Sequence, residues 1–202
     1  MNFPPKNIEY LSQGNLRQKL AYVAINDLAI LNTLGNFKPT LAGTIPLDVD
    51  INSSDLDIIC ESLDLKEFES VVKSHYANLK SFKFYTQNAR GIPSFIASFE
   101  VNDFTFEIFC QPIPVEKQYA VIHLNIEARL LKFSGAVAKE SIRQLKAQGI
   151  KTELAFAIYF QIPGDPYDEL AKLADYTDEQ LQKIIGKMDG INHPADRKNS
   201  LI

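Results

Sequence analysis

"LAGTIPLDVDINSSDLDIIC", residues 41–60, is the stretch on which the reading of this chain turns. It opens apolar, passes through Gly43-Thr44 and a polar segment, and closes on Asp55-Leu56-Asp57-Ile58-Ile59, a core-like strand with two carboxylates at its head. Along a strand, residues i and i+2 share a face about 6.6 Å apart. Asp55 and Asp57 therefore share one face, while Leu56 and Ile58 pack on the other. Two carboxylates this close repel, and half-burying them is unfavourable unless a cation neutralises them. Mg²⁺, or Mn²⁺ in its place, suits such a pair: it takes oxygen ligands and keeps positions for water and phosphate.

A third acid extends the pattern. In Phe104-Thr105-Phe106-Glu107-Ile108-Phe109, alternation puts Thr105, Glu107 and Phe109 on one face and Phe106 and Ile108 on the other. If this strand lies beside Asp55–Cys60 in matching orientation, Asp55, Asp57 and Glu107 converge, as a two-metal phosphoryl-transfer centre requires. Cys60 and Cys110 each sit three residues past an acid, an odd offset that sends both to the opposite, helix-covered face. With no CxxC they read as reduced packing residues. Gly43 at a strand end lets a backbone approach closely, and the groups after it can hold phosphate oxygens, though Gly-Thr alone is a weak signal. Two plainer readings stand beside the metal site: Asp55, after Ser53-Ser54, caps a turn, and Asp57 faces water on an edge strand.

The rest of the chain supplies the frame. Its 202 residues, 46% hydrophobic, suffice for one sizeable domain with a real core. A net charge of −4 with scattered Lys and Arg lacks the footprint of a duplex-binding protein. No run reaches the roughly 18 apolar residues of a membrane span, and the N-terminus lacks a signal-peptide pattern, so a cytosolic protein is expected. Residues 15–34 predict one amphipathic helix, with Leu16, Leu20, Val23, Asp27, Ile30, Leu31 and Leu34 at helical spacing and Gly35-Asn36 as its stop. Thr40-Leu41-Ala42 is a short apolar piece, and the segment up to Ser54 is a turn or holds a short helix near Pro46. Leu65–Leu79 reads as a helix. Phe82–Ala89, Pro93–Val101 and Phe104–Gln111 read as an antiparallel meander joined at Arg90-Gly91 and Asn102-Asp103.

From Val115 only helices follow, with breaks at Ser134-Gly135, Gly149, Pro163-Gly164 and around Tyr176. Asp165 caps a helix whose first residue is Pro166, and Thr177 with Gln180 forms a capping box. The order predicts an α+β fold, a mixed sheet flanked by helices with a helical C-terminal half, rather than a doubly wound one. The expected organisation is a core over 1–114, a helical region packed on it over 115–190, and a tail over 191–202.

Together these residues resemble the DNA polymerase beta-like nucleotidyltransferase superfamily: Gly43-Thr44, ten residues, Asp55-Leu56-Asp57, then Glu107 within "FEIF". The resemblance implies that Asp55, Asp57 and Glu107 bind Mg²⁺ and that Gly43-Thr44 holds the β- and γ-phosphates of a nucleoside triphosphate. A nucleoside monophosphate would pass to an acceptor hydroxyl, with release of pyrophosphate. More narrowly, "LAGTIPLDVDINSSDLDIIC" and "LKAQGIKTELAFAIYFQIPGDPYDEL", residues 145–170, resemble the bacterial domain-of-unknown-function 4269 family. Two departures from the superfamily pattern stand out. Thr44 replaces Ser or Gly, keeping a hydroxyl on a stiffer residue, and Glu107 is one methylene longer than the commoner Asp.

Ser54 and Lys151 complete the nucleotide-binding candidates. The triplet Lys151-Thr152-Glu153 either contacts a nucleotide or caps the buried helix that follows. His123 and Glu127, at i and i+4 with Arg129 nearby, read better as a surface or helix-stabilising pair than as a substrate clamp. Tyr167 belongs to helix initiation, with stacking on a base as the alternative, and Arg90 is a solvated turn residue or reaches a phosphate. The acceptor, on this reading, is a small molecule, a protein side chain or an RNA end. A noncatalytic nucleotide-binding or regulatory module of the same fold is the alternative function. Base preference and oligomeric state are not readable.

Overall fold

The structure is a computed structural model and describes residues 7–192. The chain divides into two compact units, Met1–Asn125 and Ile126–Ile202. The first carries α1 (Leu16–Asp27), α2 (Ile30–Thr33), β1 (Thr40–Ala42), β2 (Leu56–Glu61), α3 (Leu65–Tyr76), β3 (Lys80–Ala89), β4 (Ile92–Val101) and β5 (Phe104–Gln111). Helix α4 (Tyr119–Ala147) begins in the first unit, and the second continues with α5 (Thr152–Tyr159), α6 (Pro166–Leu173) and α7 (Asp178–Asn192). Of the expected tail, residues 191–192 end α7 and the remainder lies outside the described residues.

The five strands form one mixed sheet in the order β1-β2-β5-β4-β3. The meander supplies the antiparallel β5-β4-β3 part, and β2 inserts parallel to β5 with β1 antiparallel on its outer side. A parallel pair cannot be joined by a tight turn. Here α3, β3 and β4 together make the crossover from β2 to β5. Both hairpin turns need two successive residues in the left-handed region, the primed geometry that matches strand twist. Arg90-Gly91 (φ 54° and 82°) and Asn102-Asp103 (φ 48° and 63°) provide it.

One face of the sheet is the core. Leu56, Ile58, Cys60, Phe95, Phe99, Phe106, Ile108 and Cys110 are all fully buried there, against Ile25, Leu34, Phe68 and Val72 from the helices. Rings continue the packing from sheet to helix: Phe68 meets Phe37 edge-on at 4.8 Å and Phe95 at 5.5 Å, while Tyr76, Phe99 and Phe106 stack at 5.1 and 5.4 Å. The two cysteines are reduced, buried and directly paired in register on this face, as their odd offset from the acids implied.

Helix α3 starts because Asp64 Oδ1 accepts from the backbone N–H groups of Lys66 and Glu67, at 2.9 and 3.0 Å. Asp64→Ala is expected to destabilise the fold by about 1 kcal/mol, read as a lower urea midpoint with an unchanged slope.

The first helix departs from expectation. It breaks at Ala29, which is left-handed (φ 49°), and resumes as α2. The face turned inward is Gln18, Ala21, Ala24 and Ile25, leaving Leu16 74% exposed and Leu20 and Val23 about half exposed. Small alanines let the helix approach closely, and Gln18 has two polar tasks there. It completes a capping box with Asn15 and donates to the Ile45 carbonyl at 2.9 Å. Counting large apolar side chains therefore selected the wrong face of α1, whereas Ile30 and Leu34 beyond the break are fully buried as expected.

In the second half the expected breaks hold. Gly135 (φ 70°, ψ −157°) interrupts α4, Asp165 caps α6 with Pro166 in its first turn, and Thr177 and Gln180 exchange their capping hydrogen bonds. Arg129 belongs to this scaffold, since its guanidinium donates to the Ala174 and Tyr176 carbonyls and to Asp178 Oδ1. No helix among the described residues is long and apolar enough to cross a membrane.

Candidate active site

The face of the sheet opposite the core carries the candidate acids Asp57 and Glu107. Strand register aligns Ala42 with Asp57, Asp57 with Glu107, Glu107 with Ser98, and Ser98 with Lys83. Residues directly paired across a sheet share a face, so one row runs through all five strands. Asp55, two residues before Asp57, precedes β2 next to the row above, where Thr105 pairs with Glu100. β2 lies between β1 and β5, so Asp57 does not sit on an edge strand.

Asp57 and Glu107 are both half-buried, on neighbouring parallel strands. Burial, and then the Asp55 carboxylate, push the Glu107 carboxyl above its ordinary value, with the Lys83 ammonium opposing them. Asp55 and Glu107 therefore feel one another, and Asp57 stands in register with Glu107. Among the described residues no group of three or more His, Cys, Asp or Glu side chains is gathered tightly enough to hold a metal ion. Register brings the positions together, but like charges give the carboxyl groups no reason to close on one another. The donors themselves, three carboxylates, suit a hard cation.

Gly43 sits against this row. Its φ of +78° is left-handed, and a Cβ there would lie 1.9 Å from Asp57 Oδ2. Only a glycine permits both the backbone conformation and the close approach of the carboxylate. After it, the Thr44 carbonyl accepts from the Leu47 and Val49 N–H groups, winding the chain into a tight turn near Pro46. The polar segment then returns, so that Thr44 Oγ1 donates to Ser54 Oγ at 3.2 Å and Ser54 Oγ accepts from Ile51 N at 2.9 Å. Gly43, Thr44 and Ser54 are thus brought together beside Asp57.

Sequence reasoning missed the group that fastens this loop. Arg17, on α1, lies 3.1 Å from Asp50 Oδ2 as an ion pair whose angle falls short of a hydrogen bond. Its Nη2 donates to the Asn52 and Ser54 carbonyls, both at 3.0 Å, and its guanidinium lies 4.8 Å from the Phe104 ring centroid. No local pattern marks an arginine between Leu16 and Gln18 as a loop anchor.

Lys151 lies in the other unit, exposed at the N-cap of α5 with no side-chain cap hydrogen bond. Its neighbour Thr152 accepts from Lys146 Nζ at 3.0 Å. His123 and Glu127 correct the surface reading, since each is only 4% exposed. Burial, then Glu153, push the Glu127 carboxyl well above the usual range, with Lys146 opposing them, and its Oε1 has no hydrogen-bond partner. Helix α4 turns this pair inward because Leu124, Ile126 and Leu130 bury its other positions, leaving no wholly polar side. Arg90 is exposed at its turn and lies 4.2 Å from the Tyr119 ring centroid.

Residues 23–173 match the model of a domain of unknown function, DUF4269. The chain belongs to the DUF4269 family. Both stretches that carried that resemblance fall wholly within the matched region, which includes all seven candidate site residues. No curated protein matches the DUF4269 chain. Among solved structures, it is similar to the Cid1 poly(U) polymerase bound to MgGTP, at 12% identity and a TM-score of 0.47 over 69% of this chain and 46% of that one. It is also similar to the GLD-2/RNP-8 complex, at 15% identity and 0.44 over 86% and 74% of the two chains. The polymerase core of TRAMP, a complex of RNA surveillance, gives 14% identity and 0.40 over 89% and 62%. The DUF4269 chain spans about half the length of the Cid1 chains it matches.

Proposed function

We propose that this chain is a metal-dependent nucleotidyltransferase that moves a nucleoside monophosphate from a nucleoside triphosphate to an acceptor hydroxyl. The observation that carries this reading is the junction at Asp57. The carboxylate is in register with Glu107 on one side and packed against Gly43 on the other, with the Thr44 and Ser54 hydroxyls at the end of the same turn. Such a junction supports the reading because it would put metal ligands next to a backbone able to hold phosphate, as phosphoryl transfer needs.

Asp55, Asp57 and Glu107 would hold Mg²⁺, which supplies charge neutralisation for the triphosphate and activation of the acceptor oxygen. Gly43 and Thr44 would hold the outer phosphates, with Ser54 fixing the Thr44 hydroxyl. In the transfer, the acceptor oxygen bonds to the α-phosphorus as the bond from that phosphorus to the bridging oxygen breaks. Pyrophosphate leaves with the electron pair, and the acceptor proton passes to a carboxylate or to water. The protein's contribution is positioning and electrostatics.

Titration calorimetry with Mg²⁺ and each nucleoside triphosphate, followed by a pyrophosphate-release assay over a panel of acceptors, tests the reading. Mg²⁺-dependent binding followed by acceptor-dependent release is expected. Binding without release across small-molecule, protein and RNA acceptors would instead identify a noncatalytic nucleotide-binding module, and release of orthophosphate without an acceptor a phosphohydrolase.

A further inference from the structure

We propose that the exposed edge strand β3 is the acceptor platform of this site, with Tyr85 stacking on a base and Lys83 pairing with the phosphate of the same nucleotide unit. The inference rests on the nucleotidyl-transfer reading and names the acceptor's chemical class.

Register fixes the placement. Lys83 pairs with Ser98, which pairs with Glu107, so Lys83 ends the row that contains the acids. Tyr85 pairs with Ile96 one step further along the same face. Phe84, between them, points the other way, stacking on Phe95 at 6.0 Å, with Lys73 Nζ 4.5 Å from its ring centroid. The core side of the strand is therefore anchored while its site side is open. Tyr85 is 49% exposed, and Lys83 and Gln87 are exposed on either side of it.

Spacing and charge then select the ligand. Lys83 and Tyr85 lie i and i+2 on one face, about 6.6 Å apart along the strand, close to the separation of base and phosphate within one nucleotide. An aromatic face is a sequence-tolerant platform for a base. Lys80, the other cation of β3, is taken by Glu100 at 2.6 Å beside a groove of about 340 Å³ at the β4–β5 turn. Lys83 influences Glu107 through space, and among the described residues it forms no direct ion pair. It is the cation available to a phosphate in this row. A net charge of −4 offers no continuous basic track, so the contact is with one nucleotide unit. That unit is either a free mononucleotide or the end of a single strand.

Fluorescence anisotropy with a short labelled oligoribonucleotide, in Mg²⁺ and without nucleoside triphosphate, tests this on the full chain. Tyr85→Ala and Lys83→Ala are each expected to weaken binding about tenfold or more, and Tyr85→Phe to retain it. Free nucleoside monophosphate is the competitor: complete displacement identifies the single nucleotide as the ligand, and displacement only by unlabelled oligonucleotide identifies the strand end. No oligonucleotide or mononucleotide binding, or binding indifferent to both alanine variants, overturns the proposal. Both residues sit on an exposed edge, so circular dichroism melting is expected to match the parent and separate lost binding from lost fold. Binding through β3 without pyrophosphate release would retain the platform and sink the transferase, whereas release insensitive to both variants would do the reverse.

Discussion

Asp57→Asn and Glu107→Gln are each expected to lower Mg²⁺-dependent pyrophosphate release by more than about 10²-fold, since residues that merely support a metal ligand already affect affinity or activity by 10- to 100-fold. Glu107→Gln carries a second expectation of opposite sign. Burial and Asp55 raise the Glu107 carboxyl in the folded chain above its ordinary value of 4.5. Well below pH 4.5 both folded and unfolded chains hold that proton, and the variant and parent should be equally stable. As pH rises, the unfolded chain releases the proton first, and stability falls until the raised folded pKa is passed. Glutamine has no such proton. The melting temperature of Glu107→Gln relative to the parent should therefore increase from about pH 4.5 upward and level off beyond the raised value. Lost activity with gained stability is the signature of a charge kept for chemistry. A variant less stable than the parent at neutral pH would assign Glu107 to the fold instead.

How much of this was legible in the sequence depended on how local the cause was. Period-two alternation located all three meander strands, and with them the split between Phe106 and Ile108 in the core and Glu107 on the other face. The caps at Asp165 and Thr177 were legible for the same reason, since donor and acceptor lie within three residues. The parallel pairing of β2 with β5 is not legible, because nothing within either strand specifies its neighbour. The α1 face failed because burial there follows Ala21, Ala24 and the polar duties of Gln18, so larger side chains remain outside. Arg17 was invisible because its partners, Asp50, Asn52 and Ser54, lie more than thirty residues away. His123 and Glu127 misled because a polar pair at i and i+4 normally marks a solvated face, whereas here it is buried along with Val121, Leu124, Ile126 and Leu130.

Gly43→Ala probes whether the glycine matters through its backbone or through Asp57. An alanine at φ +78° is strained by about 1–2 kcal/mol. Its Cβ, built 1.9 Å from Asp57 Oδ2, forces the carboxylate to rotate away, because a carboxylate end yields more readily than a strand backbone. Two effects should therefore separate: a modest fall in the urea midpoint and a large loss of Mg²⁺-dependent pyrophosphate release. The double variant Gly43→Ala/Asp57→Asn distinguishes their origins. If Gly43 acts by leaving room for the Asp57 carboxylate, the double variant should be no less active than Asp57→Asn alone, while the backbone strain still lowers its stability. Additive activity losses would mean that Gly43 contributes separately, through the phosphate-holding turn that begins at Thr44. Full activity in Gly43→Ala would sink the idea that the position of Asp57 against this glycine matters at all, and the proposed metal site would lose the contact that first joined the turn to the acids.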